Sequence, residues 1–368
     1  EREAHFQAAS AGEVQQASLQ VVAGTVATAP PSKVPRNPFE KQVLLVQERP
    51  TFEKAQKAYD RHVASAFAAL SKLTYCGSSP GVPASTFEIC GGANAASCRQ
   101  AGISVEPGLV RQFAAPDKTV PNAIVGMAAR IKRTSDHSAL RSGCVVAFRG
   151  TIDNFANMYR EHEAQALAGL SSCSGCLVHE GYLKAFIVIE PGLVQALQEL
   201  SCSTGKIYVT GHGFGAALST IAAWELVQAG YDVGGGYLFS PPRVGNAGLS
   251  KAIYRSMALR GSYLFQVTFG RDSGPLLPPG TDFASLGYQV HYPSLHSGNY
   301  RMCQTSSAGE LGKCGLGRVP VAMWEPKDGC KSPLAPSGDF CNFTHFASEC
   351  YGGMGSRANG TRATSERP

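Results

Sequence analysis

The sequence predicts an α/β fold built on a largely parallel sheet. Between residues 143 and 268, short apolar runs alternate with longer stretches of helical length. The runs have the length and composition of buried strands. Strands that alternate with helices in this way form parallel sheets with helices on their faces.

The predicted elements follow in order along the chain. The first is a helix at 52–73, where apolar side chains recur at spacings of three and four: Ala55, Tyr59, Val63, Phe67 and Leu70. Residues 76–120 are rich in Gly, Pro and Cys, which predicts loops with short strands. Buried strands are predicted at 143–148, 206–210, 236–240 and 263–268, and helices at 183–200, with Pro191 as a break or kink, and at 216–228.

Composition excludes several classes of protein. Apolar residues make up 43% of the 368 residues and charged residues 16%, which argues against a disordered chain. No apolar run reaches the roughly eighteen residues that a membrane-spanning helix needs. Lys and Arg exceed Asp and Glu by 33 to 27, a net charge of +6, but they form no basic block, so we expect no nucleic-acid partner.

Twelve cysteines predict an oxidising compartment and therefore a secreted protein. A zinc site would need paired CxxC or Cys/His clusters, and only Cys173 and Cys176 form a CxxC, so we expect no metal and no cofactor. Sequons at Asn342 and Asn359 agree with secretion and predict glycosylation. The chain opens at Glu1 without a signal-peptide pattern, so we expect any such peptide to have been removed.

Three regions are predicted. Residues 1–50 are rich in Ala, Gln, Ser and Pro without sustained periodicity, which indicates a pro-segment or a flexible arm, with a packed N-terminal extension as the alternative. Residues 51–351 are expected to form the folded domain. The polar tail at 352–368, rich in Gly, Arg and Ser, is expected to be disordered.

The segment Gly211-His212-Gly213-Phe214-Gly215 stands between a predicted strand and a predicted helix. It has the frame of a nucleophile elbow, G-x-S-x-G, in which a tight turn exposes a serine hydroxyl and aims the next backbone N–H at the developing oxyanion. Gly213 stands in the place of the serine, so the attacking hydroxyl is missing. The alternative is a glycine-rich turn without chemistry, whose spacing fits neither of the common phosphate-binding loops.

Six segments, taken in order, resemble those of the filamentous-fungal class 3 lipases, a family that includes feruloyl esterases. The resemblance covers about 55–350 and is most specific at 208–218, which is similar to VVTGHSLGGAL, and at 239–246, which is similar to FGxPRVGN. The other segments are 73–77 (AYCG), 146–151 (FRGS or FRGT), 173–182 (CxxC followed by HxGF) and Asp272 with 277–279 (NDxVPRLPP). This resemblance implies an α/β-hydrolase fold.

The family's triad carries over residue by residue. The resemblance places Gly213 at the nucleophile position and Asp272 at the acid that orients the catalytic histidine. That histidine is expected at His345, with His291 as the second choice and His296 as the third.

Other roles are implied by the same resemblance. The oxyanion hole is expected at Thr151 and at the backbone N–H of Phe214, and His212 is expected to be structural. A lid, an amphipathic helix that covers such a site in water, would fall within 152–166. Its expected apolar residues are Ile152, Phe155, Met158 and Tyr159.

The resemblance also implies disulfides. The implied pairs are Cys76 with Cys350, Cys90 with Cys98, and Cys173 with Cys176. Four further cysteines are expected to pair among themselves: Cys303, Cys314, Cys330 and Cys341. Whether Cys144 and Cys202 pair or stay free is left open.

The implied function is that of a secreted, monomeric carboxylic ester hydrolase that acts on acylglycerols or other lipid esters. A lipid–water interface is one place where it could meet these substrates. Its mechanism would be of the Ser-His-Asp type, in which the hydroxyl attacks the ester carbonyl. Without that hydroxyl at Gly213 the chain is expected to be inactive. Either a serine has been replaced, or the chain is a natural pseudoenzyme that binds lipid or ester ligands without cleaving them. Preference for long acyl chains or for feruloyl groups stays open.

Overall fold

The computed structural model describes residues 52–76, 89–91, 95–114, 125–150, 167–170, 173–269, 274–278, 281–293 and 299–304. It also describes the backbone of three short strands nearer the N-terminus, β1 (Ala4–Phe6), β2 (Ala17–Leu19) and β3 (Val21–Val22). β1 pairs with β2, and β3 pairs with the later strand β7 (Leu167–Leu170), both antiparallel. The predicted region boundaries at residues 50 and 351 stay predictions.

A mixed sheet of eight strands forms the centre of the fold. Its strands are β4 (Ile103–Ala114), β5 (Val125–Arg133), β6 (Gly143–Phe148), β9 (Lys206–His212), β10 (Val233–Phe239), β11 (Tyr263–Phe269), β12 (Tyr288–Tyr292) and β13 (Arg301–Gln304). Their order across the sheet is β13-β12-β11-β10-β9-β6-β5-β4. The five strands from β12 to β6 are parallel, and the strands at both edges run antiparallel to their neighbours. The predicted α/β fold with a largely parallel sheet is confirmed.

Helices cover both faces of this sheet. One face carries α1 (Phe52–Ala58), α2 (Arg61–Cys76) and α3 (Ala95–Gln100), and the other carries α4 (Glu180–Glu199), α5 (Phe214–Gln228) and α6 (Ala247–Leu259). Successive strand residues point to opposite faces, so β6 feeds both cores. Val146 belongs to the core that also contains residues of α4, α5 and α6, whereas Val145 belongs to the core that contains residues of α2.

The single helix predicted at 52–73 is wrong, because two helices occupy that stretch. The Asp60 carboxylate accepts hydrogen bonds from the backbone N–H groups of His62 (2.7 Å) and Val63 (3.3 Å). A side chain that bonds these first N–H groups caps a new helix. The apolar spacing continues through the cap, which is why periodicity alone does not reveal the break.

Two other local predictions also differ from the structure. Within 76–120, where the sequence predicts loops with short strands, the described residues 103–114 form the twelve-residue strand β4, which bulges around Gly108, where φ is 73°. The sequence predicts a break or a kink at Pro191; there is no break, because α4 runs on through it, and the kink stays a prediction. Pro191 lies on the exposed side of α4, so the carbonyl that loses its hydrogen bond there lies toward solvent.

Three disulfides join described cysteines. The predicted pairs Cys90–Cys98 and Cys173–Cys176 are present. Cys144 and Cys202, left open by the sequence, are also bonded, and both are fully buried. Cys303 is disulfide-bonded too. The other predicted partners lie outside the described side chains: Cys76, Cys314, Cys330, Cys341 and Cys350.

The described residues contain neither a membrane-spanning helix nor a metal site. No helix among them is both long and apolar enough to cross a bilayer. Within the same residues, no three His, Cys, Asp or Glu side chains are grouped as a metal site would require.

Candidate active site

Gly213 forms the whole of a tight turn between a central strand and a buried helix. β9 ends at His212, α5 begins at Phe214, and Gly213 has φ 56° and ψ −120°. Its N–H donates to the Phe239 carbonyl of β10 (2.9 Å), and its own carbonyl accepts from the N–H of Ala216 (2.9 Å). This is a conformation that residues other than glycine adopt only under strain, and such strain clusters at functional sites. The geometry is that of a nucleophile elbow with glycine at its centre.

The two flanking glycines let strand and helix approach each other. A Cβ added to Gly211 would overlap the backbone carbonyl of Gly215. A Cβ on Gly215 would in turn overlap the carbonyl oxygen of Phe148 at the end of β6. The start of α5 is therefore held against both β9 and β6, and neither contact leaves room for a side chain.

Replacing Gly211 with alanine is expected to lower the free energy of unfolding by about 1–3 kcal/mol, because the new methyl group meets backbone that cannot swing away. Chemical denaturation followed by circular dichroism measures this loss. Gly169→Ala is the matched control, because a Cβ at Gly169 has no neighbour within 4 Å. Equal stabilities for the two variants would contradict the close approach at the turn.

The start of α5 carries the predicted oxyanion donor. Phe214 is the first helical residue, and its half-buried ring packs edge-on against Tyr182 at a centroid distance of 5.6 Å. Backbone N–H groups in the first turn of a helix have no partner within the helix, and the helix dipole favours negative charge there. The N–H of Phe214 is thus suited to a developing oxyanion. Thr151, the other predicted donor, lies outside the described residues, two positions after the buried Arg149.

His291, the second choice for the catalytic base, lies at the carboxyl end of β12 and is 6% exposed. Its Nδ1 lies 3.0 Å from the Thr268 hydroxyl of β11, and the Gln289 amide donates to that same hydroxyl (3.2 Å). β10 and β11 separate β12 from the strand that carries Gly213. At about 4.8 Å per strand this puts roughly 14 Å between the two strands, which disfavours a direct contact between His291 and Gly213.

His212 immediately precedes the turn and is 1% exposed. Burial lowers the pKa of its imidazole to about 3, because the charged form would lose its hydration. The ring is therefore neutral over the whole physiological range, which suits the structural role expected for it rather than proton transfer.

Arg243 has a role that the sequence alone did not suggest. Its backbone N–H donates to the Leu277 carbonyl (2.6 Å), and its guanidinium donates to the carbonyls of Leu276 and, at 3.3 Å, Phe283. These bonds fasten the segment that follows position 272 to the end of β10. The motif at 239–246 contains this arginine, but the sequence does not show which carbonyls accept its hydrogen bonds.

Several predicted site residues lie outside the described residues. They are Asp272, His345, His296, the lid residues Ile152, Phe155, Met158 and Tyr159, and the sequon residues Asn342 and Asn359. Described elements lie on both sides of Asp272: β11 ends at Phe269, and a short 3₁₀ turn begins at Gly274. β11 therefore ends at the same edge of the sheet as β9, the strand that leads into Gly213.

The parallel sheet, its two helical layers and the turn at its carboxyl edge define an α/β-hydrolase fold. Solved structures agree: lipase II from Rhizopus niveus superposes over 73% of this chain and 91% of its own with a TM-score of 0.53 at 19% identity. Residues 145–281 match the family described as lipase (class 3).

Curated relatives match over part of their length. The chain is 33% identical over 161 residues to the secreted mono- and diacylglycerol lipase A of Penicillium camembertii, covering 42% of this chain and 47% of that protein. It is 32% identical over 146 residues to the secreted mono- and diacylglycerol lipase 1 of Fusarium solani, covering 38% and 40%. The matched region thus spans about half or less of each relative.

Proposed function

We propose that this chain is a secreted, class 3 lipase-like protein that binds acylglycerol esters at the carboxyl edge of its sheet and does not cleave them. The observation that carries this proposal is the elbow geometry at Gly213, which presents a site for an ester carbonyl without an attacking hydroxyl. The names of the relatives support mono- and diacylglycerols as the ligand class. Their description as secreted, together with the three disulfides, supports an extracellular location.

The remaining machinery is that of an ester hydrolase. An acyl oxygen placed beside the start of α5 would accept a hydrogen bond from the Phe214 N–H and, as we propose, from Thr151. Asp272 would orient His345, which would take a proton from the attacking group. Because Gly213 has no such group, bound ester is held at the oxyanion donors and no acyl-enzyme forms.

The second candidate is a chain whose serine has been replaced in an otherwise active lipase. Both candidates share the site and the ligand, and both predict inactivity in the present sequence. They differ in whether the proposed proton-handling residues still work when a nucleophile is supplied at position 213.

Binding and turnover by the unaltered chain test the proposal together. We expect saturable binding of a fluorescent 1-monoacylglycerol, and hydrolysis of p-nitrophenyl butyrate no faster than the buffer blank. Competition by methyl ferulate tests whether the site prefers long acyl chains or aromatic acyl groups. Turnover that a serine-reactive fluorophosphonate abolishes would contradict the missing nucleophile, and a lack of saturable binding would contradict the ligand class.

A further inference from the structure

Ser240 has a strained backbone at the carboxyl end of β10. Two non-glycine residues within the described ranges have positive φ, Ser201 and Ser240, and Ser240 has φ 47°. Ser201 lies on an exposed turn, whereas Ser240 is 4% exposed. Pro241 follows it and narrows its allowed conformations further. The motif that this segment resembles has glycine here, which would adopt the same backbone freely.

The Ser240 hydroxyl is buried and has no hydrogen-bond partner among the described residues. Buried hydroxyl groups are almost always hydrogen-bonded, so one that is not calls for a water or a ligand. A serine kept in a strained conformation, where glycine would relieve the strain, points to a role for the hydroxyl itself. A bound water alone would not explain why the hydroxyl is present, because a glycine at position 240 would have no hydroxyl that needs a water.

Ser240 lies beside the elbow. Its backbone N–H donates to the Val267 carbonyl of β11 (2.9 Å), and the preceding residue, Phe239, accepts the hydrogen bond from the Gly213 N–H (2.9 Å). In the sheet register His212 is opposite Phe239, so the next residues on the two strands are Gly213 and Ser240. Ser240 therefore follows β10, the strand next to β9, and β9 leads into Gly213, the position that lacks a hydroxyl.

We propose that the Ser240 hydroxyl hydrogen-bonds the glycerol-ester end of an acylglycerol bound beside Gly213, an inference that rests on the proposed function. Ser240 acts here as a binding residue and not as a nucleophile. A serine nucleophile requires a base within hydrogen-bond reach, and in the described part of the chain no group bonds this hydroxyl.

Two substitutions, Ser240→Gly and Ser240→Ala, test this inference. Binding of a pyrene-labelled 1-monoacylglycerol should weaken roughly tenfold in both, the loss expected for one hydrogen bond. Ser240→Gly should also raise the thermal midpoint by about 2–4 °C because the backbone strain is relieved. Ser285→Ala is the matched control, because that serine is 8% exposed and its hydroxyl also has no partner within the described ranges. We expect this variant to bind the ligand as the unaltered chain does.

The outcomes separate the two proposals. If the unaltered chain binds the monoacylglycerol and both Ser240 variants bind it equally well, the role of Ser240 is overturned and the proposed function stands. If fluorophosphonate labels the unaltered chain at Ser240, the residue is a nucleophile and the binding role is overturned. If the unaltered chain binds no monoacylglycerol, both proposals fail together.

Discussion

Replacing Gly213 with serine is expected to create ester hydrolysis where the unaltered chain has none, with a gain on the order of 10⁶-fold in turnover of p-nitrophenyl butyrate. The turn already has the backbone geometry that exposes a side chain between strand and helix, so the new hydroxyl would sit next to the Phe214 N–H. The His345 and Asp272 roles proposed above would then supply proton transfer and orientation. A steady-state assay, with fluorophosphonate labelling of residue 213, measures the gain.

Gly213→Ala is the control for this substitution. It introduces the same strained Cβ without a hydroxyl, and both variants should lose about 1–3 kcal/mol of unfolding free energy. Activity in the serine variant alone would support a retained proton-handling pair and favour a replaced serine. A folded serine variant with neither turnover nor labelling would contradict the triad and favour the pseudoenzyme.

The second large effect concerns two glutamates buried between α4 and α5. Glu190 is 2% exposed and Glu225 is 5% exposed, and the Oε1 atom of each carboxyl group has no hydrogen-bond partner among the described residues. Burial raises the pKa of Glu190 to about 7. Burial, with a smaller effect of the Glu190 charge, raises the pKa of Glu225 to about 8. Both carboxyls therefore tend to hold a proton in the folded protein at neutral pH.

The stability of the fold should fall as pH rises from about 5 to about 9. Both folded pKa values lie above the unfolded value of 4.5, so the stabilisation is fully present below pH 4.5 and is lost as pH rises through about 7 and about 8. One such group contributes on the order of 3 kcal/mol across this range. Glu190→Gln and Glu225→Gln, which keep the shape and remove the charge, should flatten the decline measured by urea denaturation at each pH.

Glu53→Gln is the control for the glutamate pair, because Glu53 is exposed and bonds Lys57 on the surface of α1. We expect its pH profile to follow that of the unaltered chain. Stability that is level between pH 5 and pH 9, or a decline that both glutamine variants retain, would show that the two carboxyls do not titrate as described.

The sequence predicts the sheet and the turn well because both depend on local chemistry. Glycines at 211, 213 and 215 between an apolar run and a helical stretch leave few alternatives to a tight strand-to-helix turn. What escapes prediction depends on distant contacts. The φ of Ser240 is imposed by neighbouring strands, and Glu190 reads as one polar residue on an apolar helix until its burial is known. The Cys144–Cys202 bond required knowing that β6 and β9 are neighbours.

That Cys144–Cys202 bond matters for how the protein is produced. It is a covalent link at the amino ends of β6 and β9, two neighbouring strands whose carboxyl ends both lie close to the turn at Gly213. In a host cytosol that keeps thiols reduced, the chain would be produced without this disulfide. The alignment of the two strands would then depend on hydrogen bonds and packing alone. Recombinant preparation should therefore use a secretory or periplasmic route. The yield of correctly assembled protein there measures how much the edge of the sheet that carries Gly213 depends on a covalent bond at the opposite end of the sheet.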